Sequence, residues 1–194
     1  YGIAQPGFDI SSIQFALHYM WENLHVLNGF LRNVSENTKI GGYFIGTCYD
    51  GNRVYRLLEN KKKGETVRIM DGDDTIWSVT KQYSQVDFAN NSSCVGYGID
   101  VYQESINKVF REYLVNFAYL TRLMEDYGFV PLSTAEANSI GLPQSIGSFS
   151  ELFAVLREET EKRPSTKRNY GKSLSMTSAE RQISFLNQYF VYKK

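Results

Sequence analysis

Two short segments concentrate the side chains that could do chemistry. Gln14-Phe15-Ala16-Leu17-His18-Tyr19 places an amide, two rings and one of the chain's two histidines close together, and Thr47 to Asp50 adds a hydroxyl, a thiol, a phenol and a carboxylate. Each segment ends an apolar run that reads as a strand. In open α/β sheets ligands collect at the carboxyl ends of the strands, and a polar-plus-aromatic cluster there can stack and hydrogen-bond a planar ligand. The competing reading is that Phe15 and Tyr19 only pack and His18 caps a helix. Neither His18 nor His25 has metal-ligating neighbours at suitable spacing, so no metal is expected. Cys48 and Cys94 lie far apart, form no CxxC pair and read as buried free thiols. The chain has no GxSxG, HExxH or Walker pattern. No catalytic dyad is therefore nominated.

The elements that must position them follow from periodicity. Phe8 to Ile13 predicts a short buried strand. Leu24, Leu27, Phe30, Leu31 and Val34 fall at helical spacing, with Asn37 and then Gly41-Gly42 as the stop and turn. Tyr43 to Cys48 predicts a parallel strand covered on both faces, and Asp50-Gly51 turns the chain into a helix that buries Val54, Tyr55, Leu57 and Leu58. Strand, helix, strand, helix is the succession of an α/β sheet. Val67–Met70, Thr75–Val79 and Gly98–Tyr102 then predict an antiparallel β-rich insertion over about 65–105. Glu112 to Tyr127 predicts a long amphipathic helix burying Leu114, Phe117, Ala118, Leu120 and Leu123 and stopped by Gly128. Ser150 to Glu161 predicts another helix, capped by Ser148 or Ser150. Arg163 to Lys172 reads as a basic exposed loop, and Phe185 to Tyr192 as a final strand.

The bulk composition sets limits. A hydrophobic share of 42% with 22% charged residues fits a globular domain and excludes a disordered or collagen-like chain. Twenty-one basic residues balance twenty-one acidic ones, so any RNA affinity must come from local patches such as Lys61-Lys62-Lys63 or Arg163 to Lys172. No apolar run approaches the roughly 20 residues of a membrane span, and no membrane partner is expected. The chain opens on Tyr1-Gly2-Ile3-Ala4 without an initiator Met, which suggests a piece of something longer.

Phe8-Asp9-Ile10 leading to Gln14-Phe15-Ala16-Leu17-His18-Tyr19, then Gly41-Gly42-Tyr43-Phe44-Ile45-Gly46-Thr47, resembles the mRNA cap guanine-N7 methyltransferases of eukaryotes and viruses. Those enzymes carry an "FDI…QF..HY" segment and, one helix later, "GGYFIGT". Glu112-Tyr113-Leu114-Val115-Asn116-Phe117 resembles their later "E-[FY]-L-V-x-F" segment, and Phe190-Val191-Tyr192 their closing strand. Asp50-Gly51 and the Phe-Leu-Asn near the end resemble most the methyltransferase domain of large-DNA-virus capping enzymes. The resemblance implies an α/β, Rossmann-like S-adenosylmethionine-dependent methyltransferase sheet with an antiparallel insertion. It also implies that residues 1–194 form the carboxyl-side part of the domain, with the first strands, acidic cofactor ligands and Gly-rich loop upstream of Phe8, so that the fragment alone would be inactive.

The implied enzyme transfers a methyl group from S-adenosylmethionine to N7 of the cap guanine. The resemblance puts Gln14 and Tyr19 against the cofactor, Phe15 and His18 in the guanine pocket, and Glu112 on the guanine amino and N1–H edge. Asn187 stands where the family carries a tyrosine over the cap, so that contact is lost or Phe185 or Tyr189 supplies the ring. Tyr49 replaces the proline of the family's "GTTP" turn. The implied partner is capped mRNA (a GpppN end), alongside other capping-enzyme domains or subunits. The implied setting is intracellular: host cytoplasm or virion for a viral protein, nucleus for a cellular one. Two alternatives stand beside this: an inactive methyltransferase-like subunit acting as an interaction or allosteric partner in a capping complex, and a small-molecule methyltransferase.

Overall fold

The computed structural model describes residues 6–194, the side chains of 167–169 excepted, so the Tyr1–Ala4 segment lies outside the described residues. The chain forms two sheets. β1 (Phe8–Gln14) runs parallel to β2 (Thr38–Tyr49), with Gln14 opposite Thr47. Between them a 3-10 turn, Leu17–Trp21, leads into α1 (Leu24–Asn37). Asn23 caps this helix by accepting from the Val26 N–H at 3.0 Å, and Leu27, Leu31 and Val34 carry its buried stripe.

The Gly41-Gly42 turn expected after α1 is absent. The chain passes from Asn37 directly into β2, because the Thr38 hydroxyl and N–H both bond back to the last helical carbonyls and end the helix without a loop. The glycines serve the strand instead. Gly41 takes a φ of +81°, and the pairing with β1 jumps there from Phe8–Thr38 to Ile10–Tyr43, which is a bulge.

α2 (Gly51–Leu57) is capped by Asp50 and buries Val54 and Leu58. Next come β3 (Thr66–Asp71), β4 (Asp74–Lys81), β5 (Gly98–Gln103) and β6 (Lys108–Tyr113), a continuous antiparallel meander. The β-rich stretch expected over about 65–105 is thus an antiparallel meander that runs on to Tyr113. Glu112 lies in β6 opposite Ile99, not in a helix. The long helix predicted from Glu112 shortens to α3 (Phe117–Asp126), because pairing with β5 holds 108–113 extended and Asn116 supplies the cap. The Asn116 side chain accepts from the Tyr119 N–H at 3.0 Å and donates to the Ala89 carbonyl at 3.2 Å. Leu120 and Met124 are buried, while Ala118 is exposed.

The remainder completes the first sheet. β7 (Val130–Pro131), α4 (Thr134–Ser139), β8 (Ile146–Ser148) and α5 (Phe149–Lys162) precede 3-10 turns over Pro164–Ser175, α6 (Ser178–Ser184) and β9 (Asn187–Lys193). Ser148 caps α5 in a capping box with Glu151. The basic segment expected as a loop is 3-10 helical, broken at Gly171. β9 enters antiparallel between β2 on one side and β7 and β8 on the other. The β1–β2 pair is thus the parallel part of the sheet, and β2 has a parallel neighbour on one side only.

Burial is one-sided as well. Phe44 and Cys48 of β2 join α1 and α3 in one core, whereas Tyr43 and Ile45 on the other face are half-buried. β1, expected to be buried, is largely exposed, with Phe8 and Ile10 each more than half accessible; among the described residues it pairs only with β2. A second core fills the space between the meander and α2, around Trp77, Val79 and Ile99. Val95 and Tyr119 touch both cores, so the two sheets share one apolar interior. Among the described residues no helix is long and apolar enough to cross a membrane.

Gly51 pins these halves together. Its N–H donates to the Val115 carbonyl at 3.0 Å. A methyl added at Gly51 would sit 2.3 Å from that carbonyl oxygen and 2.7 Å from its carbon. Backbone cannot give way as a side-chain tip does, so Gly51→Ala is expected to lower the unfolding free energy by about 2–3 kcal/mol, read as a reduced urea midpoint.

Candidate functional site

The site sits where the two sheets meet. β1 ends at Gln14, and the chain turns at Phe15 into the 3-10 segment that carries His18 and Tyr19. That segment packs against β6, and the Trp21 carbonyl accepts from the Gly96 N–H at 3.0 Å. This contact brings Glu112 under His18. A cavity of about 430 Å³ results, with Phe15, His18, Tyr19 and Glu112 among its walls. The volume lies in the range of small-molecule pockets.

Phe15 has a φ of +50°, a left-handed conformation that a bulky residue rarely adopts. The Phe15 N–H donating to the Thr47 carbonyl at 2.9 Å helps hold it there. The ring is consequently thrown to the mouth of the cavity, about half exposed, edge-on to Phe149 at 6.1 Å. Strain of this kind, of order 1–3 kcal/mol, persists where surrounding structure enforces it and is concentrated at functional sites.

Deeper in, His18 and Glu112 are buried with Nε2 and Oε1 3.6 Å apart, too long for a hydrogen bond. Neither His18 Nε2 nor Glu112 Oε2 has a hydrogen-bond partner among the described residues. Burial holds the Glu112 carboxyl up at about 7 and the His18 imidazole down at about 4, each toward its neutral form. The Tyr19 ring stands edge-on to His18 at 4.3 Å and remains partly exposed. An unpaired carboxylate oxygen in an apolar cleft is a hydrogen-bond acceptor prepared for donors brought by a ligand.

Phe15, His18, Tyr19 and Glu112 are thus brought together. Gln14 is not in this cavity. It ends β1 beside a second cavity of about 570 Å³ on the other face of the sheet, with Tyr43 and Ile45. Its amide accepts from the Thr47 hydroxyl at 2.8 Å and donates to Ser12 at 2.9 Å, leaving one N–H uncommitted. Asn187 is not in the cavity either. Its amide donates to the Ile183 and Ser184 carbonyls at 3.3 and 3.1 Å, closing the end of α6. Neither Phe185 nor Tyr189 supplies a ring: Phe185 packs on Phe153 at 5.6 Å, and the Tyr189 hydroxyl donates to the Gln144 carbonyl at 3.0 Å. Among the described residues no group of three or more His, Cys, Asp or Glu side chains could hold a metal ion.

Tyr49, Val101, Gln103, Ile106 and Phe110 complete the walls, and the sequence reading nominated none of them individually. Tyr49 lay within the flagged Thr47–Asp50 segment. The other four come from the β5–β6 hairpin, whose approach to the strand ends leaves no mark in local sequence.

Three comparisons bear on this geometry. A family model described as the mRNA (guanine-N(7))-methyltransferase domain matches residues 3–194. A probable mRNA-capping enzyme of Acanthamoeba polyphaga mimivirus is 28% identical over 124 residues, covering 61% of this chain and 10% of that protein. The mRNA cap guanine-N(7) methyltransferase of Saccharomyces cerevisiae is 32% identical over 155 residues, covering 78% of this chain and 34% of the relative. The chain therefore spans between a tenth and a third of the length of these relatives. The solved CcbJ methyltransferase of Streptomyces caelestis superposes with a TM-score of 0.50 at 10% identity, over 98% of this chain and 59% of that one. At that identity it speaks for the methyltransferase fold alone.

The two neutralised groups make opposite contributions to pH dependence. Between 4.5 and about 7, folded Glu112 keeps a proton that the unfolded chain releases, so stability falls as pH rises through that window. Between about 4 and 6.5, unfolded His18 holds a proton that the folded form rejects, so stability rises with pH. The two nearly cancel where the windows overlap. Glu112→Gln removes only the first, so the variant should outlast the parent above neutrality by about 1–3 kcal/mol. Thermal denaturation from about pH 4 to 8 reads this; a variant weaker than the parent at the alkaline end would show that the carboxylate has a partner.

Proposed function

The chain belongs to the mRNA (guanine-N(7))-methyltransferase domain family, and from that premise we propose that the cavity takes the guanine of an mRNA cap and presents its N7 for methylation. The observation that carries the reading is the buried Glu112 carboxylate, with Oε2 unpartnered, facing a cleft with aromatic walls. Guanine offers two parallel N–H donors, at N1 and the 2-amino group, that suit such a carboxylate; adenine offers no matching pair. Phe15 at the mouth can stack the base, and neutral His18 lies against the carboxylate.

S-adenosylmethionine would lie across the end of β1, since Tyr19 lines this cavity and Gln14 the cavity on the other face of the sheet. Gln14 at the end of β1 keeps a free amide N–H in an exposed position, and Tyr19 offers a partly exposed ring between that strand end and the cavity. These are the residues of this chain that would hold the cofactor, which when bound supplies an electrophilic methyl on a sulfonium. N7 of guanine carries a lone pair and no proton, so no general base is needed. What the side chains contribute is orientation, holding the base at near-attack geometry, and exclusion of water by the apolar walls.

The viral relative is a capping enzyme, and we extend that setting to this protein: a methyltransferase domain of a large-DNA-virus capping enzyme, acting on a GpppN-ended mRNA beside other capping domains or subunits. The buried free thiols of Cys48 and Cys94 support an intracellular location.

Glu112→Gln in the protein as encoded, at full length, is expected to reduce kcat/KM for cap methylation by at least about 100-fold, because an amide N–H then faces the base's donors. S-adenosylmethionine affinity should hold. In the parent, kcat/KM should rise with pH through about 7 as Glu112 ionises, and the variant should lose that limb. Retained cap methylation in the variant would remove the guanine reading. A parent that binds capped RNA without methylating it would favour the inactive-subunit alternative.

A further inference from the structure

We infer that Tyr49 is a specificity-determining residue of this cavity, its ring forming the inner wall and its hydroxyl donating a hydrogen bond to the 6-oxo group of the bound base. The inference rests on the reading of the cavity as a guanine site.

Tyr49 is the last residue of β2 and is almost fully buried. Its ring lies beside His18 at 6.5 Å with an interplanar angle of 27°, and against Trp77 at 6.1 Å on its other side. The phenol is held from the insertion sheet. The Trp77 Nε1–H donates to its oxygen at 3.0 Å and the Gln103 Nε2–H donates at 3.1 Å. An indole N–H can only donate, and a phenolic oxygen has two lone pairs and one proton. Both lone pairs are therefore occupied by the frame, and the proton is not. Among the described residues no acceptor lies within hydrogen-bond reach of that O–H. Tyr49 and Gln103 both line the cavity, so the unused donor belongs to the space where the base would sit.

The chemistry of the base supplies the acceptor. Around guanine the 2-amino group, N1–H and O6 follow one another along a single edge. A carboxylate at Glu112 takes the first two and leaves O6 as the next atom, an acceptor that wants a donor. N7 must stay free for the methyl group, so a donor directed at O6 serves recognition without blocking the reaction. At adenine the same position carries an amino group, whose hydrogens would meet the phenolic proton. Glu112 and Tyr49 thus impose opposite demands on adjacent atoms, which is a stronger filter than either alone.

Tyr49 pairs directly with Asn187 across β2 and β9. Asn187 turns to the end of α6, and the ring next to it in the sheet, Tyr49, turns into the cavity.

The test is Tyr49→Phe in the full-length protein, assayed on GpppN-capped RNA and on RNA capped with 6-thioguanosine, which keeps N1–H and the 2-amino group for Glu112 but carries sulfur, a weak acceptor, in place of O6. On the guanine cap the variant's KM should rise about tenfold, the worth of one neutral hydrogen bond, with kcat and the KM for S-adenosylmethionine unchanged. On the 6-thioguanine cap wild type and variant should be nearly equal. A fall in the amount of folded variant lowers both substrates alike, so the ratio between caps is insensitive to misfolding. An equal penalty on both caps, or none on the guanine cap, overturns the role of the hydroxyl. Loss of methylation in Glu112→Gln together with an unaffected Tyr49→Phe would sink this inference alone, whereas an unaffected Glu112→Gln sinks the guanine reading first.

Discussion

A carboxylate removed from water without a partner is one of the more expensive things a fold can hold, and Glu112 is such a group. Its burial drives it toward the neutral form, and the imidazole 3.6 Å away offers no hydrogen bond in return. An unmade bond to a buried polar group costs of order 1–3 kcal/mol. Stability alone would select a glutamine or an apolar side chain here. The group is affordable only if its unmet acceptor capacity is used by something that visits.

The rest of the architecture can be understood as keeping that carboxylate in place and dry. The five-stranded sheet delivers Phe15, His18 and Tyr19 from the end of β1, and the four-stranded meander delivers Glu112 from β6. Neither sheet makes the site alone. Their relative placement is held by backbone contacts at the seam, from Gly96 to Trp21 and from Gly51 to Val115. Because those contacts are backbone to backbone, the spacing is set by the chain path and not by adjustable side chains. The β5–β6 hairpin then lays Val101, Ile106 and Phe110 against the opening, which raises the cost of leaving the carboxylate ionised and the value of any donor that reaches it.

Asn187 and Tyr49 show how position in a ladder and position in a site can part. They are direct partners across β2 and β9, yet their side chains serve different elements. The asparagine amide has two N–H donors, and they reach the last carbonyls of α6. The tyrosine has a single hydroxyl, and two N–H groups of the insertion sheet claim its lone pairs. The asparagine's donors are met at α6 although its buried Oδ1 has no partner among the described residues, and strand register alone does not say which of the pair faces the cleft.

Local sequence was enough to locate β1, α1, most of β2, the strands β3, β4 and β5 and the helix α5, because each carries its own period or cap: Leu27, Leu31 and Val34 for α1, Ser148 with Glu151 for α5. The cluster from Phe15 to Tyr19 was also legible, since its residue types and its place after an apolar run are written side by side. The same reasoning misread 112–116 as helix, because Leu114, Phe117 and Leu120 fit a helical stripe while the decisive pairing of 112 and 113 with β5 is a contact between segments. It set Gly41-Gly42 outside β2 for the same reason: glycines read as a turn, yet here they make a bulge against β1. What the sequence determined by itself was therefore the inventory of elements and the chemical character of the strand ends. That Glu112 stands under His18, that Tyr49 and not Asn187 forms the wall, and that Gln14 faces another cavity were decided by the docking of two sheets, since long-range backbone pairing and the hunt of buried polar groups for partners leave no pattern in neighbouring residues.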